Sequence, residues 1–346
     1  MAEMLSEAKY DWVHTMLGVD ARNAGAGDGA EGDDDEDQPG RGSSRRHQSG
    51  RKPRKEQKLI SAPILGTMQQ SRAEDIRAKM SPEDQEKFEK LLDKSKSEKE
   101  KQYVTKGLAA GHSIAELAAF QAKIVGKDDK WMQNHLKLTG DSHGKGIKQQ
   151  WHMSCNATTA QAVKGELDPL YALKLHEENS DVSKANDDDG AAKNKKMGAE
   201  QKQMLESAYP DGSVGGEASN RSDPTAKRGR WNTDLLNNME DTTGLKYANN
   251  KLGGGITIDT AIAAMKGDAA QGIPLPIVIG NGPGQYTHYV LVTACEAGPP
   301  AKFAIHDPWE GKTYMRSEAT IRAGKINIAG SNQITAYENP SVAPTP

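Results

Sequence analysis

The sequence predicts an α+β protein, on three observations. Helical patterning dominates from residue 59 to about 178, strand-like apolar runs dominate the last third, and polar stretches divide them. Helices first and strands afterwards favour an antiparallel sheet over a doubly wound one. The 346-residue chain is 35% hydrophobic and 27% charged, with a mean hydropathy of -0.78. That is too polar for one uniform globule, so a folded part with unstructured segments is expected.

Residues 1–23 carry Leu5, Ala8, Trp12, Met16 and Val19 at three- and four-residue steps, the stripe of an amphipathic helix. So short a helix needs a partner surface, which makes it a candidate docking or loading element for a secretion-apparatus or chaperone partner. Residues 24–58 place an acidic block before a basic one, among Gly, Ser and Pro with almost no apolar residues. Such a segment cannot offset its ordering entropy and reads as a disordered linker.

From 59 to 140 the pattern is helical. Ser81-Pro82 with acidic residues behind them, and Ser113 with Glu116 in capping-box spacing, are helix starts. No chemistry is legible there, and the block reads as a prodomain-like lead-in that can block a cleft until cleaved. The main domain is expected over 141–338. It opens with a helix through "NATTAQAVKGEL" and another through "DPLYALKLHEE". Residues 179–230 are Gly-, Asp- and Lys-rich and read as surface insertions. After a helix near "WNTDLLNN" the chain turns β-rich through "GIPLPIVIG", "QYTHYVLVTACEA", "PAKFAIHDPWEGKTYMR" and "ITAYE". Residues 339–346 read as a disordered tail.

Composition narrows the function. A net charge of -3 gives no case for nucleic acid, and no apolar run reaches the roughly 20 residues of a membrane span. Two cysteines make no disulfide framework. The N-terminus lacks the basic start and apolar core of a secretory signal. His112, His135, His143, His152 and Cys155 show no metal-ligand spacing, so neither metal nor cofactor is expected. "LGGGITI" and "GNGPGQ" lack phosphate-loop spacing and read as turns, the second as a wall of a cleft.

One constellation carries chemistry. In "KQQWHMSCNATTAQAV" Cys155 stands where a helix begins, so the helix dipole and free amides favour its thiolate. His288 lies in the strand-like run "YTHYVLV" and can act as base. Asp307, at a turn in "AIHDPWEG", can orient the imidazole. Gln149 can join the Cys155 backbone N–H as an oxyanion donor. Cys295, on the His288 strand, faces away by period-two alternation and reads as structural. Trp309 reads either as a cover over Asp307 and His288 or as core.

"QQWHMSCNATTAQAV", "THYVLV" and "AIHDPWEG" resemble the papain-like cysteine peptidase superfamily, nearest its bacterial bacteriocin-processing members. The order Gln, Cys, His, Asp and the 133 residues from Cys155 to His288 agree. The resemblance implies a papain-like fold over 141–338, with Cys155 as nucleophile, His288 as base and acid, Asp307 as orienter and Gln149 in the oxyanion hole. Asn156 departs from the family's usual Gly, where a side chain would crowd the substrate path or join the oxyanion hole. Residues 5–20 resemble leader segments of bacterial effectors delivered by specialised secretion systems. The expected function is thus thiol-dependent acyl transfer on a protein substrate, foremost peptide hydrolysis, by a bacterial effector or toxin. Such a protein is made in the cytoplasm, exported without a signal peptide and matched by an immunity protein. Glutamine deamidation or transglutamination would use the same residues. A non-catalytic binding module is the rival from another class.

Overall fold

Eleven helices and one six-stranded antiparallel sheet make up the described residues of the chain. They come from a computed structural model that describes 62–140, 144–151, 154–185, 194–207, 232–239, 243–282 and 287–342. The expected docking helix 1–23, the linker 24–58, His143 and His152 lie outside the described residues. In chain order the elements are α1 (Thr67–Ala78), α2 (Pro82–Lys94), α3 (Glu98–Ala109), α4 (Ile114–Ile124), α5 (Asp129–His135), α6 (Cys155–Leu167), α7 (Pro169–Glu178), α8 (Lys195–Ser207) and α9 (Asn232–Asn237). Then follow β1 (Leu245–Lys251), α10 (Ile258–Ala270), β2 (Leu275–Gly280), β3 (His288–Glu296), β4 (Lys302–Asp307), β5 (Lys312–Ser317), α11 (Glu318–Arg322) and β6 (Gln333–Val342). Among the described residues no helix is long and apolar enough to cross a membrane.

The strands run in the order β1-β6-β2-β3-β4-β5. α6 packs on one face, with Leu291 in its cluster, and α10 packs on the other, with Val290 and Val292 in its own. Because both faces are covered, β2 is buried at every position and reads as a continuous apolar run instead of an alternating one.

α1 to α5 build a core of their own around Phe88, Leu108, Leu117, Phe120 and Ile124, and Leu173 of α7 completes it. The helix starts follow their sequence signals. The Ser81 hydroxyl accepts from the Asp84 N–H, and Ser113 with Glu116 closes a capping box. This block is anchored at the C-terminal end of α6, where Gln69 Nε2 donates to the Leu167 carbonyl at 3.1 Å. Nearby, His112 Nε2 lies 2.9 Å from Oδ1 of Asp168, which also caps α7. The thirteen residues of α6 put that anchorage about 18 Å from Cys155. The expected lead-in over the cleft is therefore corrected: its described helices dock at the end of α6 opposite Cys155.

Four further expectations are corrected. The β-rich reading missed α10, whose Thr257 cap follows a turn at Gly253–Gly255 with positive φ throughout. Part of 179–230 is no surface insertion, because Met197 and Gln201 of α8 are fully buried. Residues 339–342 are not tail but the end of β6, paired with β1 from Asn339↔Ala248 to Val342↔Leu245. Cys295 does not face away: a bulge between Val292 and Ala294 resets the alternation, and Cys295 packs on the cluster of Val290 and Val292.

The His112–Asp168 contact generates a test. Burial lowers the imidazole's proton affinity, but the hydrogen bond and charge of Asp168, then Glu116, outweigh it and raise the pKa. A raised folded-state pKa stabilises fully below the unfolded value of about 6.5 and ceases to do so as pH rises through the folded value. His112→Ala is expected to cost roughly 1–2 kcal/mol near pH 5.5. Denaturant titration of wild type and variant should show that difference shrinking steadily toward pH 9.

Candidate active site

Cys155 is the first residue of α6, with Ser154 as its N-cap. The one hydrogen of Ser154 Oγ lies between two acceptors, the Trp151 carbonyl (3.0 Å) and Gln201 Oε1 (3.1 Å), and Gln201 Oε1 also accepts from the Gln150 N–H (2.8 Å). Gln201 passes the network on, its Nε2 reaching Gln161 Oε1 at 2.9 Å. α8 thus clamps the chain that leads into the cysteine from behind, with every one of these polar atoms paired inside the protein.

β3 brings the imidazole. The β3–β4 ladder begins at the pair Leu291↔His306, so His288, Tyr289 and Val290 project beyond it. Into this gap comes the N-terminus of α6, and Cys155 packs against Tyr289, Val278 and Ala336. His288 Nε2 lies 2.6 Å from Asp307 Oδ1, leaving Nδ1 for the hydrogen bond with the Cys155 sulfur. Asp307 ends β4, is fully buried, and accepts the Trp309 N–H on the same Oδ1 at 2.8 Å.

The charges follow from these contacts. Burial would raise the Cys155 thiol. The hydrogen bond and charge of His288, then the Tyr289 and Asn156 N–H groups, outweigh it and hold the thiol below its ordinary range. Burial would likewise lower His288, yet its bonds to Asp307 and Cys155 raise it well above an ordinary imidazole. Asp307 would rise on burial, but His288 and the Trp309 amide keep it low. Shifts in these directions describe a thiolate–imidazolium pair backed by a carboxylate.

Of the four residues expected from sequence, Cys155, His288 and Asp307 come together through direct contacts. Gln149 is buried beside them, its N–H on the Pro308 carbonyl (2.8 Å) and its side-chain Nε2 on the Trp151 carbonyl (3.0 Å). Asn156 is fully buried, and its Oδ1 accepts from the Ala157 N–H within the first turn. Its side chain therefore stands in the first turn of the helix. Trp309 keeps part of its surface exposed and is not core.

Sequence reasoning missed Ser154, Gln201, the Tyr289 amide and His306. Gln201 left one trace, since Met197, Gln201 and Leu205 recur at four-residue steps. Among the described residues no group of three His, Cys, Asp or Glu side chains is placed to hold a metal ion. His112 is held by Asp168, and His135 Nδ1 sits 2.8 Å from the Trp131 carbonyl. A scan of protein-family models finds no match to this chain, and no curated protein matches it.

Asp307→Asn should leave the hydrogen-bonding shape and remove the charge. The His288 pKa then falls and the Cys155 pKa rises, by roughly one unit for the loss of a close opposite charge. Alkylation by iodoacetamide is expected to slow roughly tenfold at pH 6, in keeping with that shift, and much less at pH 9.

Proposed function

We propose that residues 141–338 form a papain-like cysteine hydrolase acting on a protein substrate, with peptide-bond hydrolysis as its reaction. The observation that carries this reading is the continuous chain of contacts from Cys155 through His288 to Asp307 at the start of α6. A buried ion pair of this kind is costly to maintain, and perturbed groups cluster where chemistry is done.

The Cys155 thiolate attacks the substrate carbonyl carbon, forming an S–C bond. The carbonyl oxygen, now negative, takes hydrogen bonds from the Cys155 backbone N–H and the Gln149 side-chain amide. His288 gives its proton to the departing amine as the C–N bond breaks. It then draws a proton from water, which hydrolyses the thioester and frees the thiol. Asp307 stabilises the imidazolium in each half-reaction.

The setting proposed with it is the one the sequence resemblance implies: a bacterial effector or toxin loaded through residues 1–23, exported without a signal peptide and met by an immunity protein. A non-catalytic module would have no use for a thiol held below its ordinary range.

The test is to incubate the full chain, and Cys155→Ala, with a peptide pool from a digested proteome and sequence the products by mass spectrometry. New peptide termini that fall roughly 1,000-fold or more in Cys155→Ala are expected. A mass gain at Gln would make the enzyme a deamidase, and amine incorporation at Gln a transglutaminase. Unchanged peptides would contradict the hydrolase reading.

A further inference from the structure

β4 ends in two adjacent residues, His306 and Asp307, that point to opposite faces of the sheet. Asp307 holds His288. His306, on the other face, is fully buried, and its Nε2 lies 3.2 Å from the Ile147 carbonyl oxygen. A carbonyl only accepts, so Nε2 carries the proton and Nδ1 is a lone pair, buried and without a hydrogen-bond partner. The hydrolytic mechanism gives this ring no part. Burial holds its pKa down at about 4, so it stays neutral and keeps this one tautomer.

Ile147 is two residues before Gln149, in a segment with no regular secondary structure of its own. It is fixed by single bonds on alternating sides. Gly146 N–H donates to Gly311 O (2.8 Å), Ile147 N–H to Leu138 O (2.7 Å), Lys148 N–H to Val182 O (3.0 Å) and Gln149 N–H to Pro308 O (2.8 Å). The His306 ring lies directly under this segment, because a Cβ added to Gly146 would come within 2.5 Å of its Cε1. Pro308 and Gly311 belong to the turn that follows Asp307. One strand end thus reaches both halves of the site.

We propose that His306 is a positioning residue that sets segment 146–149, and with it the Gln149 amide, at the height the oxyanion requires. This rests on the reading of Cys155 as an acyl-accepting nucleophile. The His306–Asp307 pair then fixes oxyanion donor and imidazole relative to one another, with no contact between His306 and the reacting atoms.

Two reagents separate this role from thiolate formation. With iodoacetamide the sulfur displaces iodide at a saturated carbon, forming S–C and breaking C–I, and no oxyanion arises. With p-nitrophenyl acetate the sulfur adds to a carbonyl, an oxyanion forms, and the C–O bond to p-nitrophenolate breaks. In His306→Leu, alkylation and its pH midpoint should match wild type while acylation falls roughly 10- to 100-fold, a part of the loss from removing a donor outright. His306→Gln, whose amide can donate to Ile147 O, should recover most of the acylation rate. His306→Met, equally without a donor, replaces the Leu variant if that fails to fold. Acylation at the wild-type rate in folded His306→Leu or His306→Met would overturn the proposal, as would a parallel loss of both reactions. If wild type alkylates rapidly but does not acylate, or alkylates as an ordinary thiol, the nucleophile reading itself fails, and the proposal with it.

Discussion

A sulfur anion against an apolar sheet face is stable only if something charged lies within reach and something else keeps it there. In this protein that partner is His288, and the rest of the structure can be read as the means of holding one ring. The imidazole is buried, which works against its charge, so it depends on the 2.6 Å contact with Asp307. Asp307 is buried too, and the Trp309 amide and the imidazolium keep it ionised. Removing His288 would leave Cys155 and Asp307 as unpaired anions, whereas removing either anion weakens the ion pair that remains.

That dependence explains features elsewhere in the fold. β3 outruns β4, and the three residues beyond the ladder open the gap into which α6 points its N-terminus. The sheet is covered by α6 on one face and α10 on the other, so the strands that carry His288 and Asp307 sit in a core with little freedom to shift. Behind the cysteine, Gln201 ties Gln150, Ser154 and Gln161 into one buried network. At the far end of α6 the helical block docks through Gln69 and His112, steadying that end of the helix.

Cys155, His288 and Asp307 were legible because each sits where local sequence rules are strong. A Cys before a helix, a His inside an apolar strand and an Asp-Pro at a turn can each be placed from neighbours in the chain. The α+β class was legible for the same reason. What escaped depended on contacts distant in sequence. Gln201 lies in a lysine-rich stretch, and only its place on a buried helix face makes it structural. α10 begins in β-branched residues behind three glycines, a pattern that reads as strand and turn. The bulge at Val292–Ala294 inverts the alternation that assigned a face to Cys295. β6 runs to Val342 because β1 is there to pair with it, although Pro340 and its polar neighbours carry no strand signal. His306 was passed over beside Asp307, since nothing in "AIHDPWEG" says that the two face opposite ways toward different parts of one site.

Whether Cys155 and His288 form an ion pair in solution is tested most directly by the rate of Cys155 alkylation against pH, followed by mass spectrometry. The wild-type profile should show a midpoint well below the ordinary thiol value of about 8.5. His288→Ala should move that midpoint up toward it. A slow thiol with the same ordinary midpoint in both proteins would contradict the ion pair, and with it the reading of this fold as a scaffold for a nucleophile.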